Sequence, residues 1–381
     1  MTALSALPAL LVLLSACGKD DAAVPFAEVR DQGADRYLGS FEPATSEPDP
    51  DDASVINHAF DPLAGPMCML GGTYRTMTRD QGSDDLLIFL QGGGMCTSDL
   101  CLAVTTAPAG IPPLDVLDPA KSTNPFRDWS TVYAPYCDGS LFAGDVELDT
   151  DGDGEADRFQ YGLKNLSATL DLASATFPEP RRVMLAGSSG GGYGTLIAVM
   201  LTRWTYPDAE LLVFNDAGVG LGIEGEPDFL RDILDEFQAR DLIPASQESI
   251  IDGGHLTPLL SWQLDEDPDL RIAAFSAYED YVISQMYLEV DGDDFSGWLE
   301  DELEAVHDQH PDRFQSFLVD GFIHTTLLGT PEGFIEGSSE ELEALNELLG
   351  DIDSTEVDGV NIAAWTEAML SGSQDWVSLS D

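Results

Sequence analysis

The sequence is short of positive charge. Its 70 Asp and Glu are set against only 16 Lys and Arg, for a formal net charge of −54, and the acids are spread along the chain instead of being gathered in a tail. Nucleic acid and anionic membrane surfaces are disfavoured as partners, because a field of this sign repels phosphates. Histidine is scarce too, at five residues, so any general base must come from a short roster. The five cysteines include no CxxC pair and none has a histidine close by, which argues against a Cys/His metal centre. The glycine-rich run at 187–194 has neither the Lys of a P-loop nor GxGxxG spacing, so phosphate-cradling readings lose support. Self-repulsion on this scale is tolerable where salt is high, since the screening length falls to about 3 Å at molar strength. A salty or divalent-rich setting is therefore expected.

What is present suffices for a large core: 381 residues, 43% of them hydrophobic, suit one sizeable α/β domain. The opening stretch MTALSALPALLVLLSAC carries no charged side chain and is too short to span a bilayer, as in a signal peptide. Its end, Leu14-Ser15-Ala16-Cys17, resembles a bacterial lipobox. The expected organisation is a signal peptide over 1–16, a lipidated Cys17 opening an acidic, Pro-rich tether to residue 57, and a single domain over 58–381. Such a protein is exported, as a lipoprotein of the cell envelope that touches the membrane only through its lipid or as a secreted protein. With Cys17 set aside, Cys68, Cys96, Cys101 and Cys137 form an even set that, in an oxidising compartment, implies two disulfides whose pairing the sequence leaves open.

Short apolar runs recur at 86–91 (LLIFLQ), 131–136 (TVYAPY), 182–187 (RVMLAG), 211–216 (LLVFND) and 271–276 (RIAAFS). Helix-like segments such as NLSATLDLASATF, YGTLIAVMLTRW and EPDFLRDILDEFQ alternate with them. This alternation predicts an α/β class of fold, a mostly parallel central sheet with helices on both faces.

The run VMLAGSSGGGYG then lies in a strand-to-helix turn, where a flexible linker is implausible. Gly187-Ser188-Ser189-Gly190-Gly191 fits the GxSxG nucleophile elbow with Ser189 at the apex. Ser188 is the weaker choice, because Ala186 would then hold the first glycine place. Of the histidines, His58 precedes the main sheet, while His307 and His310 lie in an acidic helix-like stretch that reads as solvated surface, their i, i+3 spacing leaving a surface metal pair as the lesser reading. His324, after the apolar run FQSFLVDGF, suits the order Ser, acid, His; His255 is read as a pocket or core histidine. Asp280, closing RIAAFSAYED, is the expected acid that orients the imidazole, with Asp216 and Asp265 as rivals. Gly93 and Gly94, in QGGGMC after the strand LLIFL, together with Gly190, would supply the amides of an oxyanion hole.

Several blocks together resemble the pectin acetylesterase family, to which the animal carboxylesterase Notum belongs. FLQGGGMC with Cys101 nearby is similar to its glycine-rich oxyanion segment, VYAPYCDGSLFAGD to its Pro-Tyr-Cys block, and LAGSSGGGYG to its serine elbow, with Gly190 where the family usually has Ala. The resemblance runs from about Cys68 to His324, with VNIAAWTEAML as weaker support. It implies an α/β-hydrolase-like fold, a triad of Ser189, Asp280 and His324, and disulfides Cys96–Cys101 and Cys68–Cys137. It also implies a serine carboxylesterase acting as a monomer on an ester substrate, an acetylated polysaccharide, with no cofactor for catalysis. An esterase of longer acyl chains, a protease, and a catalytically silent binding protein are the alternatives. The charge of −54 sits poorly with a polyanionic pectin unless salt or calcium screens it.

One insertion, DTDGDGEAD, places Asp149, Asp151, Asp153 and Asp157 at the alternating spacing of a calcium loop, although Gln160 stands where an EF-hand would have its bidentate Glu. A structural Ca²⁺ is expected there.

Overall fold

The five apolar runs lie side by side in the middle of one sheet. A computed structural model describes residues 24–329 and 348–381, so the expected signal peptide and Cys17 fall outside the described residues. In chain order the strands are β1 (Thr45–Pro48), β2 (Val55–Ala59), β3 (Arg75–Arg79), β4 (Asp85–Leu90), β5 (Gly94–Cys96), β6 (Cys101–Ala103), β7 (Ser130–Ala134), β8 (Val146–Leu148), β9 (Arg158–Gln160), β10 (Arg182–Ser188), β11 (Glu210–Asp216), β12 (Arg271–Ala277) and β13 (Phe314–Val319). Among the described residues a ten-stranded sheet runs in the order β1-β2-β3-β7-β4-β10-β11-β12-β13, closed by the short edge strand Leu379–Ser380. From β7 to that edge every pairing is parallel, whereas β1, β2 and β3 add an antiparallel flank.

Successive strand residues feed opposite faces, which is why the central strands read as unbroken apolar runs. On one face Leu86, Ile88, Val183, Leu185, Leu211, Val213 and Ile272 join the core formed with helices α2 (Gly162–Thr176), α3 (Gly190–Thr205), α5 (Pro258–Glu266) and α6 (Gly292–Gln309). On the other, Leu87, Phe89, Met184, Phe214, Phe275 and Phe317 pack against the helix Ile362–Ser371 and the loop carrying Phe126 and Trp129. Trp365 of that helix makes edge contacts with Phe214 and Phe317 at ring distances of 5.9 and 5.4 Å. Its end is set by Gly372, which takes φ 65°, and its start by the Asn361 side chain, which accepts from the Ala364 amide. The mostly parallel hydrolase-like sheet is therefore as expected. No helix among the described residues is long and apolar enough to cross a membrane.

The tether is a correction. From Val24 to Asn57 the chain is folded onto the body: Phe26, Val29 and Ala34 are fully buried, and the Phe26 ring lies 5.6 Å from that of Trp262. The Trp204 indole donates to the Pro25 carbonyl at 2.9 Å, and Gln32 donates to the carbonyls of Asp241 and Ile243. A polar composition hid a few apolar side chains, each worth about 1.5–3 kcal/mol on burial, and β1 gains its order from pairing with β2. Both expected disulfides are present, Cys68–Cys137 and Cys96–Cys101. The first closes a separation of 69 residues, which in the chain-entropy picture is worth about 4 kcal/mol.

Candidate active site

Three strand ends build the site. β10 runs directly into α3, and Ser189 at the junction has φ 57° and ψ −121°, a conformation non-glycine residues seldom adopt. That strain lifts the hydroxyl out of the sheet's edge, the geometry of a nucleophile elbow. The turn is tight enough that a Cβ on Gly191 would lie 2.0 Å from the Leu90 carbonyl oxygen, so only glycine fits there.

Asp280 follows β12, and His324 follows β13, next in the sheet. The Ser189 Oγ lies 2.7 Å from His324 Nε2, and His324 Nδ1 lies 2.9 and 2.8 Å from the two oxygens of Asp280. Asp280 is wholly buried and His324 nearly so. The network assigns the tautomer: Nδ1–H donates to the carboxylate, leaving Nε2 to accept from the serine. Asp280 Oδ1 also accepts the amides of Val282 and Ile283, which opens a π-helical segment, Val282–Tyr287. A segment of this kind, uncommon in itself, fixes the acid and turns Ile283 and Tyr287 toward the neighbouring cavity.

Gly190, first residue of α3, has one of the amides that helix geometry leaves without an intrahelical acceptor. The Gly93 nitrogen comes within 3.6 Å of where a Cβ on Gly190 would sit, so the two glycine motifs meet beside Ser189. The hairpin of β5 and β6, tied by Cys96–Cys101, carries Gly94 into the same wall.

Two spaces open from Ser189. One is an apolar cavity of about 90 Å³ lined by Leu141, Tyr193, Ile197 and Ile283, and by Phe229, Ile233 and Leu234 of α4 (Pro227–Glu236). The other is a cleft of about 680 Å³ bordered by Ser189, His324, Gln91, Tyr133 and the carboxylates Asp49, Asp51 and Asp52. The first was not foreseen: the apolar face of EPDFLRDILDEFQ has the same spacing whether it covers a core or walls a cavity.

The remaining candidates are placed as follows. Asp216 is wholly buried and bonds Ser188, not His324; burial pushes its pKa up to about 6. Asp265 lies 3.6 Å from His310. His255 is a core residue whose Nδ1 accepts the Gly222 amide, and His58 sits between Ser46 and Thr78; burial lowers the pKa of both. His310 is buried, against the solvated reading, and its Nδ1 faces Arg313, while the His307 Nδ1 turns to the Phe314 carbonyl. In the acidic insertion, carboxylate oxygens of Asp149, Asp151 and Asp153 lie within 4.8 Å of one another. Asp157 is not with them; its carboxylate accepts from the Thr150 hydroxyl and amide, because the short hairpin of β8 and β9 closes there.

Residues 63–227 match the pectinacetylesterase family. The chain is similar to that family over this segment. It is 34% identical over 154 residues to pectin acetylesterase 4 of Arabidopsis thaliana, covering 37% of each chain. To pectin acetylesterase 11 of the same plant it is 28% identical over 170 residues, 40% of this chain and 42% of that one. It is also 29% identical over 132 residues to palmitoleoyl-protein carboxylesterase notum2 of Xenopus laevis, 31% of this chain and 26% of the relative. The matched stretches thus span less than half the length of these curated relatives. The matched segment holds Ser189, Gly93, Gly94, Gly190 and the four paired cysteines, whereas Asp280 and His324 lie beyond it and join the site through the fold.

Proposed function

We propose that the protein is a serine carboxylesterase that removes acyl groups, O-acetyl among them, from polysaccharide alcohols. The observation that carries this reading is the continuous chain Ser189–His324–Asp280 at the point where an apolar cavity and a wide polar cleft meet. Ser189 Oγ attacks the ester carbonyl while its proton passes to His324 Nε2; Asp280 stabilises the imidazolium. The amides near Gly93, Gly94 and Gly190 hold the oxyanion. The imidazolium then protonates the leaving alcohol, and water, deprotonated by His324, hydrolyses the acyl-enzyme. Every proton in this sequence is handled by a residue of the site, so the chemistry asks for no cofactor.

A second reading favours acyl groups longer than acetyl, and the apolar cavity supports it. At about 10–15 Å³ per water-sized group, 90 Å³ holds roughly six to nine such groups, more than one methyl needs. The three aspartates bordering the cleft favour neutral alcohols over polyuronates. The proposal also includes export as a monomer, with lipid on Cys17 as the membrane contact; two disulfides are in keeping with an oxidising compartment.

The test is kcat/KM on p-nitrophenyl acetate and p-nitrophenyl octanoate, with Ser189→Ala as the blank. Preference for acetate supports deacetylation, preference for octanoate supports the longer acyl group, and turnover that persists in Ser189→Ala overturns both.

A further inference from the structure

Asp216 ends β11 directly beside Ser188 in the parallel register of β10 and β11. Its backbone carbonyl accepts the Ser189 amide at 2.8 Å. Its side chain, with no exposed surface, accepts the Ser188 hydroxyl at 2.6 Å, the Thr326 amide at 3.0 Å and the Leu327 amide at 3.1 Å. One residue therefore holds the amide of the nucleophile, the side chain just before it, and the chain two and three residues after His324. All three side-chain partners are donors, the set that suits a carboxylate and not an amide or a protonated acid. A buried carboxylate satisfied in this way, yet outside the Ser189–His324–Asp280 chain, calls for an explanation beyond packing.

We propose that Asp216 is a positioning residue of this site: its carboxylate fastens the nucleophile's strand to the loop carrying His324, and its negative charge supports the imidazolium formed during acylation. The inference rests on the esterase reading given above. The distance from Ser189 to His324 depends on two segments that belong to different strands, β10 and β13, which are separated in the sheet by β11 and β12. Asp216 bridges that gap from β11, and Asp280 does so from β12. The groups bonded to the carboxylate are Ser188 from β10 and Thr326 and Leu327 from the loop; the titratable side chain whose charge reaches it is His324.

The test is Asp216→Asn, which keeps the shape but replaces an acceptor by a donor and removes the charge. Rates of fluorophosphonate labelling and of p-nitrophenyl acetate turnover would be followed from pH 5 to 9, beside wild type and Ser189→Ala. The expected result is a kcat about 10- to 100-fold lower, the scale of a small misplacement of reacting groups, with KM little changed. The acidic limb of kcat/KM should also move to lower pH, because the imidazolium loses its support; a purely structural role would lower the plateau and leave the limb in place. Wild-type kcat with an unmoved limb overturns the proposal. Should Asp216→Asn fail to fold, Ser188→Ala removes one donor and leaves the carboxylate easier to protonate. The imidazolium then loses part of the same support, so the acidic limb should move to lower pH as in Asp216→Asn, and an unmoved limb counts as the overturning result. If wild type itself labels no faster than Ser189→Ala, it is the esterase reading that fails.

Discussion

The Tyr287 hydroxyl donates to the Leu102 carbonyl at 2.8 Å, across 185 residues of chain. This bond joins the π-helical segment that follows the buried acid to the disulfide-tied hairpin that carries Gly94. The junction has no spare room: a Cβ on Gly94, itself at φ 84°, would lie 1.9 Å from the Leu102 oxygen and 2.4 Å from the Tyr287 hydroxyl oxygen. The acid's segment and the proposed oxyanion wall are thus set against each other directly.

Tyr287→Phe keeps the ring in the apolar cavity and removes this bond. A net loss of about 0.5–1.5 kcal/mol corresponds to a roughly 2- to 10-fold fall in kcat/KM on p-nitrophenyl acetate. Unchanged kinetics would show that the placing of the hairpin does not depend on this bond.

The buried carboxylate of Asp216 gives stability a pH dependence of known sign. Burial raises its pKa to about 6 from 3.8, outweighing the donors that lower it, so Asp216 is a carboxylate at neutral pH but costs more to ionise in the fold than in the unfolded chain. Its contribution is full below about pH 4 and is lost as pH rises through about 6, a change of about 3 kcal/mol. Urea unfolding at pH 4.5 and 7 should show the wild type losing more stability over that interval than Asp216→Asn. Parallel losses in the two proteins would refute the assignment.

The charge of −54 predicts a melting midpoint that rises with NaCl, since screening shortens from about 10 Å at 0.1 M to about 3 Å at 1 M. Scanning calorimetry across that range is the check, and a flat or falling midpoint would remove salt as the reason the acidic surface is tolerated.

The Asp149, Asp151 and Asp153 cluster is proposed to hold Ca²⁺. Titration calorimetry on chelator-treated protein should give a heat that Asp151→Asn with Asp153→Asn abolishes. No heat at millimolar calcium would make the insertion a solvated acidic hairpin.

Much of this was readable beforehand. Strands buried on both faces announce themselves as apolar runs, and Ser189 is marked by a small-residue pattern that steric crowding enforces. His324 stood out because histidines are few. Asp280 was harder to single out among 70 acids, since what distinguishes it is burial and a partner 44 residues away, neither of which leaves a local pattern. For the same reason Asp216 reads in the sequence only as a rival acid, and its hold on the loop after His324 depends on a contact 110 residues distant. The N-terminal segment reads as a tether because β1, TSEP, is exposed throughout and has no apolar alternation; its order comes from its neighbour.

The burial of Phe26 limits how a lipidated form could work. If Cys17 carries the lipid, only nine residue steps separate it from the first fully buried side chain, a reach of about 30 Å even when fully drawn out. Such an enzyme would not sweep the surrounding fluid for polymers. It would crop whatever is already pressed against its own envelope, and its range would be set by how far a strand can drift in and not by how far the catalyst can lean out.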